Sequence, residues 1–155
     1  MCSPFNLTMP SLYKLPDTPH PPASNARLLY DQNRLEEVVA FCLKELPLIA
    51  RDLPARSQRR PPEEEAASAA FQYFALTAIL VDALAELGRW KAAKEALGRY
   101  RVRFPKDPWG FSAGAEITAR DPEVKDREAV GRAAELLRTE ADRLAEPPPA
   151  KKKGK

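Results

Sequence analysis

Residues 66–105 read AASAAFQYFALTAILVDALAELGRWKAAKEALGRYRVRFP. The first half is apolar almost all round, with Phe71, Phe74, Ala78 and Val81 on one side and Leu76, Leu80, Leu84 and Leu87 on another. A helix of that kind is enclosed by neighbours on several sides, so Ala66 to Leu87 is predicted to be the core helix. Gly88 breaks the run. Trp90, Ala93, Leu97, Tyr100 and Phe104 then recur at spacings of three, four, three and four before Pro105, which predicts a second, amphipathic helix. The connection is so short that this helix has to return antiparallel to the first.

Prolines mark out the rest of the chain. The 155 residues include 16, clustered at positions 4–22, 47–62, 105–122 and 147–149. A proline inside a helix costs roughly 3 kcal/mol, so helices are expected between the clusters. Upstream, residues 26–47 (ARLLYDQNRLEEVVAFCLKELP) carry Leu28, Leu35, Val39, Cys42 and Leu46 on one helical stripe, with Ser24 or Asn25 as the expected cap. Asn33 tolerates the left-handed conformation, so this stretch is one helix or two short ones joined at residues 31–34. Pro47 and Pro54 are expected to end it, and residues 55–65 form a polar linker. The core helix is expected to open near Pro62, with Glu63, Glu64 and Glu65 facing its positive end. Downstream, residues 109–120 suit a short helix. Asp121 and Pro122 look like the cap and first turn of a last helix with the stripe Val130, Ala133, Leu137, Ala141 and Leu144.

The stretch LVDALAELGRWKAAKEALGRYRVRFPKDP (residues 80–108) resembles a tetratricopeptide repeat, a helical hairpin of about 34 residues. Leu80 and Leu84 stand at the family's large first-helix positions and Gly88 at its turn glycine. Trp90 takes the aromatic position after the turn, Ala93 the small residue of close helix approach, and Pro105 the terminating proline. Val81 and Tyr100 depart from the pattern, where the family has small residues. Aligning Asn33 with Gly88 makes the upstream segment a degenerate second copy, with Leu35, Val38 and Cys42 for Trp90, Ala93 and Leu97. The expected fold is therefore all-α: a tetratricopeptide-like stack of antiparallel helical hairpins with a closing C-terminal helix. Residues 1–23 form an extended proline-rich lead-in, 24–146 a single domain, and 147–155 a disordered basic tail. Met9 offers an alternative start, and nothing before it is used.

Composition narrows the functional classes. The net charge is +3, and Lys151, Lys152, Lys153 and Lys155 supply more than all of it, leaving the chain before them near neutral. Two cysteines are too few for a disulfide framework, and Cys42 lies on an apolar stripe as a small hydrophobe rather than a nucleophile. The one histidine, His20, sits in the proline-rich lead-in. There is no phosphate-cradling glycine loop, no zinc-ligand spacing and no serine with a plausible base. The expectation is thus a non-enzyme with no cofactor and no metal site. No apolar run reaches the roughly 20 residues of a membrane span, and the first residues lack the pattern of an export signal, so the cytoplasm is the expected location.

Two surfaces remain as candidates. The resemblance places the family's ligand-facing positions on Arg27, Tyr30, Asp31, Asp82 and Glu86, which would hold a partner peptide or helix. This implies an interaction module of adaptor, scaffold or chaperone type. Because a hairpin cannot bury its apolar face alone, a second copy of the chain is an alternative partner. The other surface is the basic face of Arg89, Lys91, Lys94, Arg99, Arg101, Arg103 and Lys106. With the lysine tail it would suit an anion or nucleic-acid binder, with Tyr100 or Trp109 to stack a base, the weaker alternative because the aromatic positions fall on the buried stripe.

Overall fold

The structure, a computed structural model, describes residues 19–53 and 65–145. These form six α-helices and no strand: α1 (Ala23–Asp31), α2 (Leu35–Ala50), α3 (Ala69–Glu86), α4 (Trp90–Arg103), α5 (Pro108–Arg120) and α6 (Arg127–Ala145). The chain is all-α, as its periodicity predicts. The lead-in before residue 19, the linker from Pro54 to Glu64 and the lysine tail lie outside the described residues.

Each helix packs chiefly on its neighbours in sequence, and α1 also rests on α3. Residues 71–85 of α3 are all buried, which makes α3 the centre of the core. Its length and composition are those of a membrane-crossing helix, but most of it is enclosed by the other helices. Helices α3 and α4 are antiparallel, since Tyr73 and Phe74 at the start of α3 meet Tyr100 and Phe104 at the end of α4. Their ring centroids lie 6.1 to 6.3 Å apart. Trp109 of α5 closes this aromatic cluster with edge contacts to Phe74 at 5.0 Å and Tyr100 at 4.9 Å.

Two of the interhelical turns share one conformation. Gly88 has φ +76° and Asn33 has φ +61°. The N–H of Arg89 reaches Leu84 O and that of Gly88 reaches Ala85 O, while the N–H of Arg34 reaches Leu29 O and that of Asn33 reaches Tyr30 O. This is the bond pattern of a helix closed by a left-handed residue, repeated at an offset of 55 residues. Both turns then open the next helix alike, with Val38 N–H bonded to Arg34 O and Ala93 N–H to Arg89 O.

Several boundaries differ from the sequence expectation. Helix α1 starts at Ala23, so Ser24 and Asn25 lie inside its first turn. Its cap comes instead from α3: Gln72 Oε1 accepts from Ala23 N–H at 2.8 Å, while Gln72 Nε2 donates to Ala66 O at 2.8 Å. Leu28 is 58% exposed, because the turn at Asn33 breaks the phase of the stripe that joined it to α2. Pro47 does not end α2, which runs on to Ala50 with the proline inside it. Helix α3 starts at Ala69 rather than near Pro62, capped by Ser68 Oγ, which accepts from Phe71 N–H.

The C-terminal part brings further corrections. Asp107 caps α5, accepting from Trp109 N–H at 3.0 Å and from the Tyr100 hydroxyl. Asp126, not Asp121, caps α6, accepting from Ala129 N–H at 3.0 Å. Asp121 instead follows the end of α5. Ala133 is exposed and Ala134 buried, shifting the predicted α6 stripe by one residue.

Candidate functional site

The five residues placed on the ligand-facing surface gather at the packing of α1 against α3, where they bond to one another. The Tyr30 hydroxyl is hydrogen-bonded to both Asp82 Oδ2 and Glu86 Oε2, its one proton shared between two carboxylates a helical turn apart. Burial and these two acceptors push the phenol far above its usual range, so it stays protonated as a donor. Arg27 Nε pairs with Asp31 Oδ1 at 3.1 Å along α1. Asp82 is buried, so this cluster offers a partner the edges of Arg27, Asp31 and Glu86 rather than five extended side chains.

The seven basic residues divide. Arg89 pairs with Glu36 across the two turns. Lys94 Nζ pairs with Asp121 Oδ2 at 2.7 Å. Burial alone would raise the Asp121 carboxyl, but the Lys94 hydrogen bond, the Glu123 N–H and the charges of Lys94 and Arg127 outweigh it. They hold the carboxyl below the usual carboxylate range. Arg101 is half-buried against the glycines of α5. Its Nη1 donates to Gly110 O at 3.1 Å, and a Cβ at Gly110 or Gly114 would come within 2.9 Å or 2.7 Å of it. Burial lowers its pKa, and its guanidinium lies 5.6 Å from the centroid of Phe111. Lys91 and Lys106 are exposed. Arg99 and Arg103 belong to a different feature.

That feature is an open cavity of about 790 Å³ between the C-terminal halves of α2 and α4. Leu43, Leu46, Pro47 and Ala50 form one wall, Val102 the other, and Tyr73 of α3 the floor; Arg51, Arg99 and Arg103 complete the lining. Arg103 is 5.7 Å from the Tyr73 ring centroid, which orients its charge over the floor. Leu43 is 49% and Val102 69% exposed, so the apolar surface continues past the rim. Pro47 has no N–H to offer the carbonyl of Leu43, so the α2 ladder lacks that one bond at this wall.

Sequence reasoning placed Arg99 and Arg103 on a basic face but missed the apolar half of the groove. A signal existed: Leu43, Leu46, Pro47 and Ala50 follow helical spacing on the flank of the buried stripe. Only the placement of α2 and α4 around Tyr73 reveals that, among the described residues, this flank borders a cavity shared with Val102.

Cys42 is buried, and burial together with the Glu45 charge pushes its thiol up to about 12, so it is protonated at neutral pH. Among the described residues no group of three or more His, Cys, Asp and Glu side chains is placed to hold a metal ion. No protein-family model, curated protein or solved structure matches this chain.

Proposed function

We propose that this chain is a non-catalytic protein-interaction module, a tetratricopeptide-like pair of hairpins that takes a partner peptide or helix in the groove between α2 and α4. The groove carries the reading. Its volume falls within the roughly 300–1,000 Å³ typical of ligand sites, and it combines an apolar floor with few, well-placed charged groups. The tetratricopeptide-like part draws support from the two left-handed turns, whose backbone bonds match at Asn33 and Gly88. Nucleic-acid binding along α4 draws less, because Arg89, Lys94 and Arg101 are engaged within the protein.

The test is recovery of partners from native lysate on the full chain and on Val102→Asp, at two salt concentrations, with and without nuclease. Val102 is exposed, so the aspartate leaves the fold intact while placing a charge on the apolar wall. The expected result is one stoichiometric protein, insensitive to nuclease and lost on Val102→Asp. Partners that vanish with nuclease, or that bind both forms equally, overturn the proposal.

A further inference from the structure

The geometry points to a carboxylate site at Arg101: its guanidinium, held in a glycine slot between α4 and α5, takes the carboxylate of an acidic side chain or of a small organic acid. The site lies on the side of α4 turned toward α5, and it goes beyond the groove reading above.

The slot is shaped around one side chain. Arg101 runs along α5, where a Cβ at Gly110 would come within 2.9 Å of its Cγ and a Cβ at Gly114 within 2.7 Å of its Nη1. The two glycines stand a helical turn apart, and each weakens α5 relative to alanine, so the helix gives up stability where the arginine passes. Apolar groups flank the charged head: the Phe111 ring centroid lies 5.6 Å from Cζ, and Leu137 Cδ1 lies 3.6 Å from the Cβ position at Gly114. The arginines that pair with carboxylates, Arg34, Arg89 and Arg143 among them, are exposed. Arg101 is half-buried, its Nη1 donates to Gly110 O at 3.1 Å, and among the described residues no carboxylate pairs with it. Asp107, which opens the same helix, is bonded instead to the Trp109 N–H and the Tyr100 hydroxyl. A charge drawn partly out of water with no counter-charge is the arrangement that gains most from one.

Two plainer explanations compete. Arg101 belongs to the last turn of α4, where a cation offsets the helix dipole. Its side chain, however, lies over Gly110 and Gly114 in the first two turns of α5, the positive end of that helix, where the dipole favours an anion. The other explanation is that the stem merely covers the glycines. A methionine would cover them equally well without bringing a charge out of water, so exchanging the two separates packing from binding. A guanidinium takes a carboxylate through two parallel N–H···O bonds, and the Phe111 and Leu137 flanks favour a ligand with apolar atoms next to its carboxylate.

The experiment follows the backbone amides of Gly110 and Gly114 by NMR while the full chain, Arg101→Met and Arg101→Lys are titrated with phenylacetate, a capped glutamate peptide, inorganic phosphate and chloride at constant ionic strength. Circular dichroism checks that both variants fold. Expected is a saturable shift with the two carboxylates, absent in Arg101→Met and weakened about tenfold in Arg101→Lys, which keeps the charge but loses the paired bonds. Tighter binding of phenylacetate assigns the site to a small acid, and tighter binding of the glutamate peptide to an acidic side chain. Shifts that rise linearly with every anion, or that persist in Arg101→Met, overturn the site. Saturation by phosphate alone overturns the carboxylate chemistry. Val102→Asp should leave the titration unchanged, so failure here and failure of the groove reading are told apart.

Discussion

The turn at Asn33 and the turn at Gly88 have the same backbone bonds, yet they join hairpins of unlike character. At Gly88 a buried eighteen-residue helix meets a helix lined with Trp90, Ala93, Leu97 and Tyr100. At Asn33 a nine-residue helix with Ala23 and Ala26 as its buried residues meets a longer helix that carries Pro47 inside it. The same local solution therefore serves a hairpin that forms the core and one that leans on it. What differs is how much apolar surface each turn brings together, and whether the second helix holds a proline.

The largest expected effect probes the core side of this pair. Ala93 is fully buried beside α3, and Ala93→Glu forces an unpaired charge into that contact. It should cost more than about 4 kcal/mol and unfold the protein in thermal denaturation. Val38→Glu, at the matching position of the other hairpin, should unfold it as completely if the hairpins form one cooperative unit. A surviving transition from α3–α6 in Val38→Glu would show that they are separable.

A proline exchange tests continuity. Pro47 and Val102 occupy matching positions, so Val102→Pro should destabilise by about 3 kcal/mol while Pro47→Ala should stabilise by about 1 kcal/mol or more, read from urea midpoints. No gain in Pro47→Ala would mean that α2 has already adapted to its interruption. Next in size is Tyr30→Phe, which removes the donor between Asp82 and Glu86, a feature with no counterpart at Ala85 in the second hairpin. It should cost about 1–3 kcal/mol in the melting curve. An unchanged melting temperature would make the hydroxyl a bystander.

The turns themselves should give the smallest effects. A Cβ at Gly88 meets nothing within 4 Å, so Gly88→Ala carries only the backbone cost of the left-handed conformation, about 1 kcal/mol. Asn33→Ala should cost less, because asparagine already bears part of that cost, and Asn33→Gly should be neutral or gain a few tenths of a kcal/mol. Equal losses at the two alanine variants would remove the distinction between the residues and leave only the shared geometry.

The parts of the fold legible in sequence were those governed by local rules. The apolar run through α3, the Gly88 break and the Trp90 to Phe104 stripe fix a helix pair by periodicity, and Asn33 marks a second turn by its tolerance of positive φ. Capping was misread wherever the cap came from afar. Ser24 and Asn25 have the right chemistry, but α1 is closed by Gln72 from a distant helix. Asp107 and Asp121 both precede proline, and only the first caps a helix, because Asp121 is held by Lys94. Pro47 has the chemistry of a stop, yet α2 continues through it. The groove was the least legible feature: it is made by flanks of two helices whose first residues lie 55 positions apart, and periodicity says nothing about which flanks come together.

The amide of Gln72 has a consequence for the order in which the chain assembles. It holds the first backbone N–H of α1 from 49 positions further along, and the carbonyl of Ala66 with its other end. As the protein emerges from the ribosome, α1 comes first, but its cap is not yet made, and a nine-residue helix is too short to persist alone. Its completion waits for α3 to be synthesised and folded. The beginning of this domain thus settles only after its middle.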